Sequence, residues 1–169
     1  MRSSLVLACA ALLVSAAGCP PSAAQIKTAR DAHYRGPPES LLQGAEEAAT
    51  EQHYKIRESN PDAGAFITLD KVWSPEGETE STGAGDAIQV RDKSIIIAFV
   101  VRVVAAGHDQ FAIQIEPKIR RMYASRPNLD DLEPDDPSLP GWVGGKTDEL
   151  TVAIHDKLAA FAAPAAPAP

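Results

Sequence analysis

The sequence is poor in cysteine and in aromatic residues, and it has no excess of positive charge. Only 2 of its 169 residues are cysteine, and aromatic residues make up 5% of the chain. The formal net charge is −7, so no net basic field exists to release phosphate counterions, which excludes a general nucleic-acid-binding protein. Hydrophobic residues make up 44%, which is enough for folding, and the length corresponds to one domain.

The hydrophobic run at the N-terminus is too short to cross a bilayer as a helix. It covers residues 5–17, follows Arg2 and is interrupted only by Ser15. A positive residue, a short apolar stretch and small residues at its end are the features of a secretory signal peptide. Residues 1–18 are therefore predicted to be removed on export.

The end of this run, Ala16-Ala17-Gly18-Cys19, resembles the lipobox of bacterial lipoproteins. The resemblance implies that Cys19 is acylated through its sulfur and becomes the first residue after cleavage. Ordinary signal-peptide cleavage is the alternative. Cys9 lies inside the segment to be removed, so the mature chain would contain no internal disulfide. Two or three acyl chains on one cysteine are sufficient for stable membrane attachment.

Composition divides the exported chain into a tether, one domain and a tail. Residues 19–39 begin with Pro20-Pro21 and are predicted to be a solvated linker containing a short helix over residues 24–34. Residues 40–161 carry the regular hydrophobic patterns and are predicted to form the domain. Residues 162–169 are a Pro/Ala tail that has no capacity to pack.

Hydrophobic periodicity predicts a helix, four strands and a second helix within the domain. Helical spacing of apolar residues begins at Leu41 and again at Leu150, and alternating apolar residues lie between them. The strands are expected over residues 54–57, 66–73, 95–104 and 111–120. Residues 95–104 are apolar on both faces and should be central, whereas Pro117 indicates an edge or a bulge. The predicted fold class is α+β, with a four-stranded, mainly antiparallel sheet covered by an N-terminal and a C-terminal helix in two layers.

Two long loops are expected between these elements. Residues 76–86 are acidic and contain glycine, and residues 125–141 contain 4 prolines and 5 carboxylates. The carboxylates from Asp130 to Asp136 lack the spacing of an EF-hand. Whether they bind a cation is left open, and a solvated acidic loop is the alternative.

Three segments of the domain resemble the helix–strand–strand opening of BamC-like domains. They are residues 41–49 (LLQGAEEAA), 54–56 (YKI) and 63–68 (AGAFIT), followed by Trp73. Such domains occur in a lipoprotein of the outer-membrane β-barrel assembly machine and in other Gram-negative lipoproteins. The resemblance extends over about residues 38–161 and implies this fold and the periplasmic face of the outer membrane. The lipopolysaccharide-assembly lipoprotein has a similar outline of two helices and four strands.

The sequence contains no spacing typical of a catalytic or metal site. Residues 140–147 (PGWVGGKT) end like a phosphate-binding loop, but Pro140 replaces the first glycine, so the segment is predicted to begin a helix. The four histidines are not at metal-ligand spacing, and His155-Asp156 has no nucleophile nearby. These histidines are His33, His53, His108 and His155. The chain is therefore predicted not to be an enzyme and to use no cofactor.

One positive cluster stands out in the acidic domain. It consists of Lys118, Arg120, Arg121 and Arg126. These residues are a candidate partner surface, for a protein or for anionic lipid, and pairing with the acidic loop is the alternative.

The sequence predicts a non-enzymatic, membrane-anchored envelope lipoprotein that acts as an interaction or assembly module in the periplasm. Its expected partners are the membrane, through Cys19, and an envelope protein. The alternative is a carrier or sensor that binds a lipid or another apolar ligand between the sheet and the helices. A continuous apolar cavity of several hundred Å³ under the helices would favour the carrier.

Overall fold

The structure is a computed structural model that describes residues 20–78 and 91–163, with only the backbone given for residues 126 and 127. The predicted signal peptide, Cys19, most of the loop expected at residues 76–86 and the end of the predicted tail lie outside the described residues.

The described residues form three α-helices, six strands and one short 3₁₀ turn. The helices are α1 (Ala23–Arg30), α2 (Pro38–Glu51) and α3 (Trp142–Lys157), and the 3₁₀ turn is Ala159–Phe161. The strands are β1 (Ile56–Asn60), β2 (Ala65–Thr68), β3 (Lys71–Trp73), β4 (Ile95–Gly107), β5 (Gln110–Tyr123) and β6 (Arg126–Leu132). The α+β class with a mainly antiparallel sheet is confirmed. The prediction of four strands between two helices was wrong, because the sheet has six strands and two helices precede it.

The sheet is built around β4, as its apolar residues predict. Its order is β1-β2-β4-β5-β6, all neighbours are antiparallel, and β3 also pairs with β4. On one side of β4, residues 95–97 pair with β3 and residues 100–102 pair with β2. On the other side, β5 pairs with β4 along nearly its whole length.

The strand expected over residues 66–73 is divided at Leu69 and Asp70. The backbone N–H of Leu69 donates to the carbonyl of Lys55 at 2.7 Å, which extends the β1–β2 register by one residue, whereas the pairing of β2 with β4 stops at Ile67. The interruption lies opposite Phe99, whose backbone N–H donates to the hydroxyl Oγ1 of the fully buried Thr68 at 2.9 Å. The Thr68 hydroxyl therefore accepts the hydrogen bond that a strand carbonyl would accept in an unbroken ladder, because a buried N–H requires a partner.

Thr68→Val is expected to lower the free energy of unfolding by about 1–3 kcal/mol, because the buried N–H of Phe99 would lose its acceptor. Valine has nearly the same shape as threonine, so packing is preserved. Urea unfolding would measure the loss. Thr68→Ser, which keeps the hydroxyl and removes a methyl group, should cost less than Thr68→Val. Equal stability of Thr68→Val and the wild type would show that the bond does not contribute.

Strand β6 lies inside the segment that was expected to be a long loop. It joins the edge of the sheet with Asp131 opposite Arg120 and Asp130 opposite Arg121. Opposite charges on facing strands stabilise pairing, so these carboxylates are compatible with a strand. The paired part of β6 ends at Leu132 opposite Ile119. Pro117 lies outside the part of β5 that pairs with β6, so its lack of an N–H removes no hydrogen bond to β6.

The core lies between one face of the sheet and the helices. Alternate residues of β4 supply the sheet side, and apolar stripes of α2 and α3 supply the helix side, as the periodicity predicts. The sheet side includes Ile95, Ile97, Phe99 and Val101, and the helix side includes Leu41, Leu42, Ala45, Leu150, Ile154 and Leu158. Each of these side chains is at most 2% exposed.

The segment before residue 40, which was expected to be a tether, is part of the folded body. Ser22 caps α1 in a capping box with Gln25, and α1 packs on α3 through the buried Ala29. After α1, Tyr34 is 2% exposed and forms backbone bridges to Phe111 and to Ala162. Among the described residues, the folded body therefore includes the chain from the Ser22 cap onward.

Candidate functional site

The outer face of the sheet, opposite the helices, combines an apolar strip with charged side chains. Strand alternation places Ile96, Ala98 and Val100 of β4 on this face, and the buried core against the helices does not include them. Opposite them on β5 are Arg120, Lys118 and Glu116, in that order. We define the outer sheet face by these six residues.

Ion pairs organise the charged row of the outer sheet face. Glu116 forms ion pairs with Lys118 and with Arg102, the latter at 2.8 Å. Lys118, followed by Arg102, holds the pKa of Glu116 down at about 2, so the carboxylate stays ionised at neutral pH. Arg120 reaches across β4 to Asp70, with 2.6 Å between guanidinium and carboxylate. Ile96, Ala98 and Val100 are themselves buried, at 4%, 4% and 8% exposed, so the charged side chains form the accessible part of this face.

The structure does not bring together all four residues of the predicted positive cluster. Lys118 and Arg120 lie on the outer sheet face, whereas Arg121 lies on the opposite face because side chains alternate along a strand. Arg121 donates to the side-chain oxygen and to the carbonyl of Ser138, at 3.0 and 2.7 Å. Arg126 is in β6, and its side chain lies outside the described part of the chain.

A second cluster, which the sequence analysis did not find, lies on the helix side of the sheet. Lys71 and Trp73 of β3 project toward α3, and there they meet Trp142 and Lys146. The two indole rings are 5.7 Å apart between centroids. We call Lys71, Trp73, Trp142 and Lys146 the tryptophan–lysine cluster. Two residues border it, Tyr54 under Lys71 and Glu149 next to Lys146.

Electrostatic effects are strong in the tryptophan–lysine cluster because its groups are partly removed from water. Burial lowers the pKa of Lys71, and the nearby charge of Lys146 lowers it further. Burial also raises the pKa of Tyr54, with a smaller contribution from Glu149. The lower pKa disfavours the charged form of Lys71, and the higher pKa disfavours the charged form of Tyr54, unless a compensating charge is present.

The remaining residues that the sequence singled out are dispersed. The Tyr34 hydroxyl lies 3.1 Å from Nδ1 of His155, while the other three histidines are exposed at separate positions. Asp130 and Asp131 belong to β6, and Asp136 accepts hydrogen bonds from Ser138, which lower its pKa. No group of His, Cys, Asp and Glu among the described residues could hold a metal ion.

A groove of about 450 Å³ lies on the surface between α2 and the start of β1. It is lined by Gln43, Glu46, Glu47, Thr50, Glu51 and Ile56. Lys157 pairs with Glu47 at 3.2 Å and with Glu51 at 2.7 Å beside it. Five of the six lining residues are polar or charged, and the groove lies outside the layer between sheet and helices. Side chains such as Leu41, Phe99 and Leu150, all 0% exposed, occupy that layer.

The sequence matches no protein-family model, and no curated protein matches it. None of the helices in residues 20–78 and 91–163 combines the length and the apolar character that crossing a membrane requires.

Proposed function

We propose that the protein is a non-enzymatic envelope lipoprotein. Acylated Cys19 would hold the α+β domain at the periplasmic face of the outer membrane, where the domain would act as an interaction or assembly module. The resemblance of residues 16–19 to a lipobox supports the anchor. The resemblance of residues 38–161 to BamC-like domains supports the location.

The observation that carries this proposal is the position of the first described helix, α1. Ser22 caps this helix, and its backbone N–H and its hydroxyl both contact the side-chain oxygen of Gln25, at 2.9 and 2.8 Å. Cleavage before Cys19 would therefore leave every described element intact. The chain would continue from the acylated residue into the domain after only Pro20 and Pro21.

The outer sheet face is the surface that we assign to the envelope partner. It places Lys118 and Arg120 beside the apolar strip of β4, and their ion pairs with Glu116 and Asp70 fix the charges in place. Charges that meet a partner's charges across an interface guide orientation and partner choice more than they add affinity.

Cys19→Ala is expected to abolish fatty-acid labelling and to release the protein from the membrane fraction. The reason is that Cys19 is the residue that would carry the acyl chains. The measurement is incorporation of labelled palmitate together with fractionation of the envelope. Cys9→Ala is the matched control, because it changes the other cysteine within the leader.

Loss of label in Cys19→Ala with retention in Cys9→Ala would support the lipoprotein proposal. An unlabelled wild-type protein, or equal labelling of all three proteins, would contradict it. Circular dichroism of Cys19→Ala should match the wild type, because no described element of the domain includes this residue.

A further inference from the structure

Two lysine ammonium groups share one indole ring in the tryptophan–lysine cluster. Nζ of Lys71 and Nζ of Lys146 each lie 4.8 Å from the centroid of the Trp73 ring. Cations are attracted to the face of an aromatic ring, but two of them close together repel each other. Bringing two lysines to one ring is therefore most favourable when an anion binds near both of them.

The carboxylates of the protein neutralise only part of this charge. Lys146 pairs with Glu149, with Nζ 2.9 and 3.2 Å from the two carboxylate oxygens. Within residues 20–78 and 91–163, no carboxylate forms an ion pair with Lys71, which contacts the rings of Tyr54 and Trp73 instead. The cluster thus carries two cations and one close carboxylate, and it has an unmatched positive charge.

The same ring also carries an unused hydrogen-bond donor. Trp73 is only 6% exposed, and its indole Nε1 is buried with no hydrogen-bond partner in the described part of the chain. Trp142, by contrast, donates its Nε1–H to the carbonyl of Pro75 at 3.0 Å. Buried polar groups without partners are rare in proteins and often mark a site for a ligand or an ion.

We propose that Lys71 and Lys146 bind a phosphate group at the Trp73 ring. The lysine ammonium is a compact charge that binds phosphate well without the planar geometry that carboxylates receive from arginine. Partial burial of the ammonium groups next to the buried Trp73 ring strengthens their attraction to an anion. The phosphate would come from inorganic phosphate or from a phospholipid headgroup. The site does not depend on acylation of Cys19, so each proposal can fail without the other.

Intrinsic fluorescence reports directly on this site, because the chain contains 2 tryptophans and both belong to the cluster. The full chain in a non-ionic maltoside detergent would be titrated with inorganic phosphate, with ionic strength held constant by chloride. We expect a saturable change in emission for the wild type. Apparent affinity should fall at least about tenfold in Lys71→Gln and in Lys146→Gln, the effect of losing one charge-assisted contact.

Lys27→Gln is the matched control, because Lys27 is an exposed lysine on α1 that pairs with Asp31. It should respond like the wild type. Lys71→Met serves as a second variant that keeps the apolar side chain over the rings and removes only the charge. Thermal unfolding of each variant would verify that the domain remains folded.

A second titration distinguishes the two sources of phosphate. Mixed micelles of maltoside with increasing phosphatidylglycerol would replace inorganic phosphate, with a neutral diacylglycerol as the lipid control. A response to inorganic phosphate supports a site for the free anion. A response to phosphatidylglycerol alone supports a headgroup site. Absence of both responses, or responses that Lys71→Gln, Lys71→Met and Lys146→Gln leave unchanged, would overturn the proposal.

Discussion

Ile154→Asp is expected to unfold the domain. Ile154 lies in the middle of α3, is 1% exposed and packs in the core that joins the helices to the sheet. A carboxylate at this position would lose its hydration in an apolar core without a cation to pair with, at a cost of several kcal/mol. The total stability of a domain is about 5–15 kcal/mol, so this cost is comparable with all of it. Thermal unfolding followed by circular dichroism would detect the loss.

Ile154→Val is the control for this experiment. Removal of one methyl group from the same position should cost only about 0.5–1.5 kcal/mol and leave a cooperative transition. If Ile154→Asp melted like the wild type, α3 would not cover the sheet in solution, and the two-layer arrangement would be incorrect.

Tyr34→Ala is expected to lower the free energy of unfolding by about 3–5 kcal/mol, the range for removal of a large buried aromatic side chain. Tyr34 is 2% exposed, and its backbone N–H and carbonyl both bond to Phe111, at 2.8 and 2.9 Å. Its burial also raises the pKa of its hydroxyl to about 12, with a smaller contribution from Asp156. The hydroxyl therefore stays protonated at neutral pH. Urea unfolding would measure the change.

Tyr34→Phe separates the contribution of the ring from that of the hydroxyl. It keeps the buried ring and removes the contact between the hydroxyl and Nδ1 of His155, so the expected loss is about 0.5–1.5 kcal/mol. Wild-type stability of Tyr34→Ala would mean that residues 20–39 are a solvated tether after all. A loss of about 3–5 kcal/mol in Tyr34→Ala would mean that residues 20–39 are part of the folded domain.

A large loss of stability in Tyr34→Ala would have a consequence for the proposed anchor. If Cys19 is acylated and the body begins at Ser22, three residues span the distance between lipid and domain, which is at most about 10 Å. Pro20 and Pro21 make this connection stiff. The domain would then lie directly on the bilayer, and its partner would have to approach it from the side or from above.

Several parts of the fold follow from the sequence alone. Apolar stripes were predicted to be buried faces, and Leu41, Leu42 and Ala45 of α2, Leu150 and Ile154 of α3, and Leu158 at its C-cap are buried. Phe161, which was predicted to continue the second stripe, lies in the 3₁₀ turn and is only partly buried. The central position of β4 was also predicted, from apolar residues on both faces. These features are local, because a repeat of 3.6 or 2 residues in one segment decides which side chains share a face.

Other features are decided only by contacts between distant segments. Strand β6 pairs with β5, with Asp130 and Asp131 opposite Arg121 and Arg120, although prolines and carboxylates by themselves favour a loop. Residues 66–73 form two strands instead of one, and at the interruption the Thr68 hydroxyl accepts the hydrogen bond of the Phe99 N–H.

The candidate sites likewise depend on contacts that the local sequence does not determine. Lys118 and Arg121 are close in sequence, yet strand alternation sends them to opposite faces of the sheet. Lys71 and Lys146 are 75 residues apart and come together because β3 and α3 pack on the same side of the sheet. Periodicity in the sequence determines which face of an element is buried. Only the tertiary structure determines which residues contact that face. These contacts depend on strand register and helix packing, and both are set by pairing between distant parts of the chain.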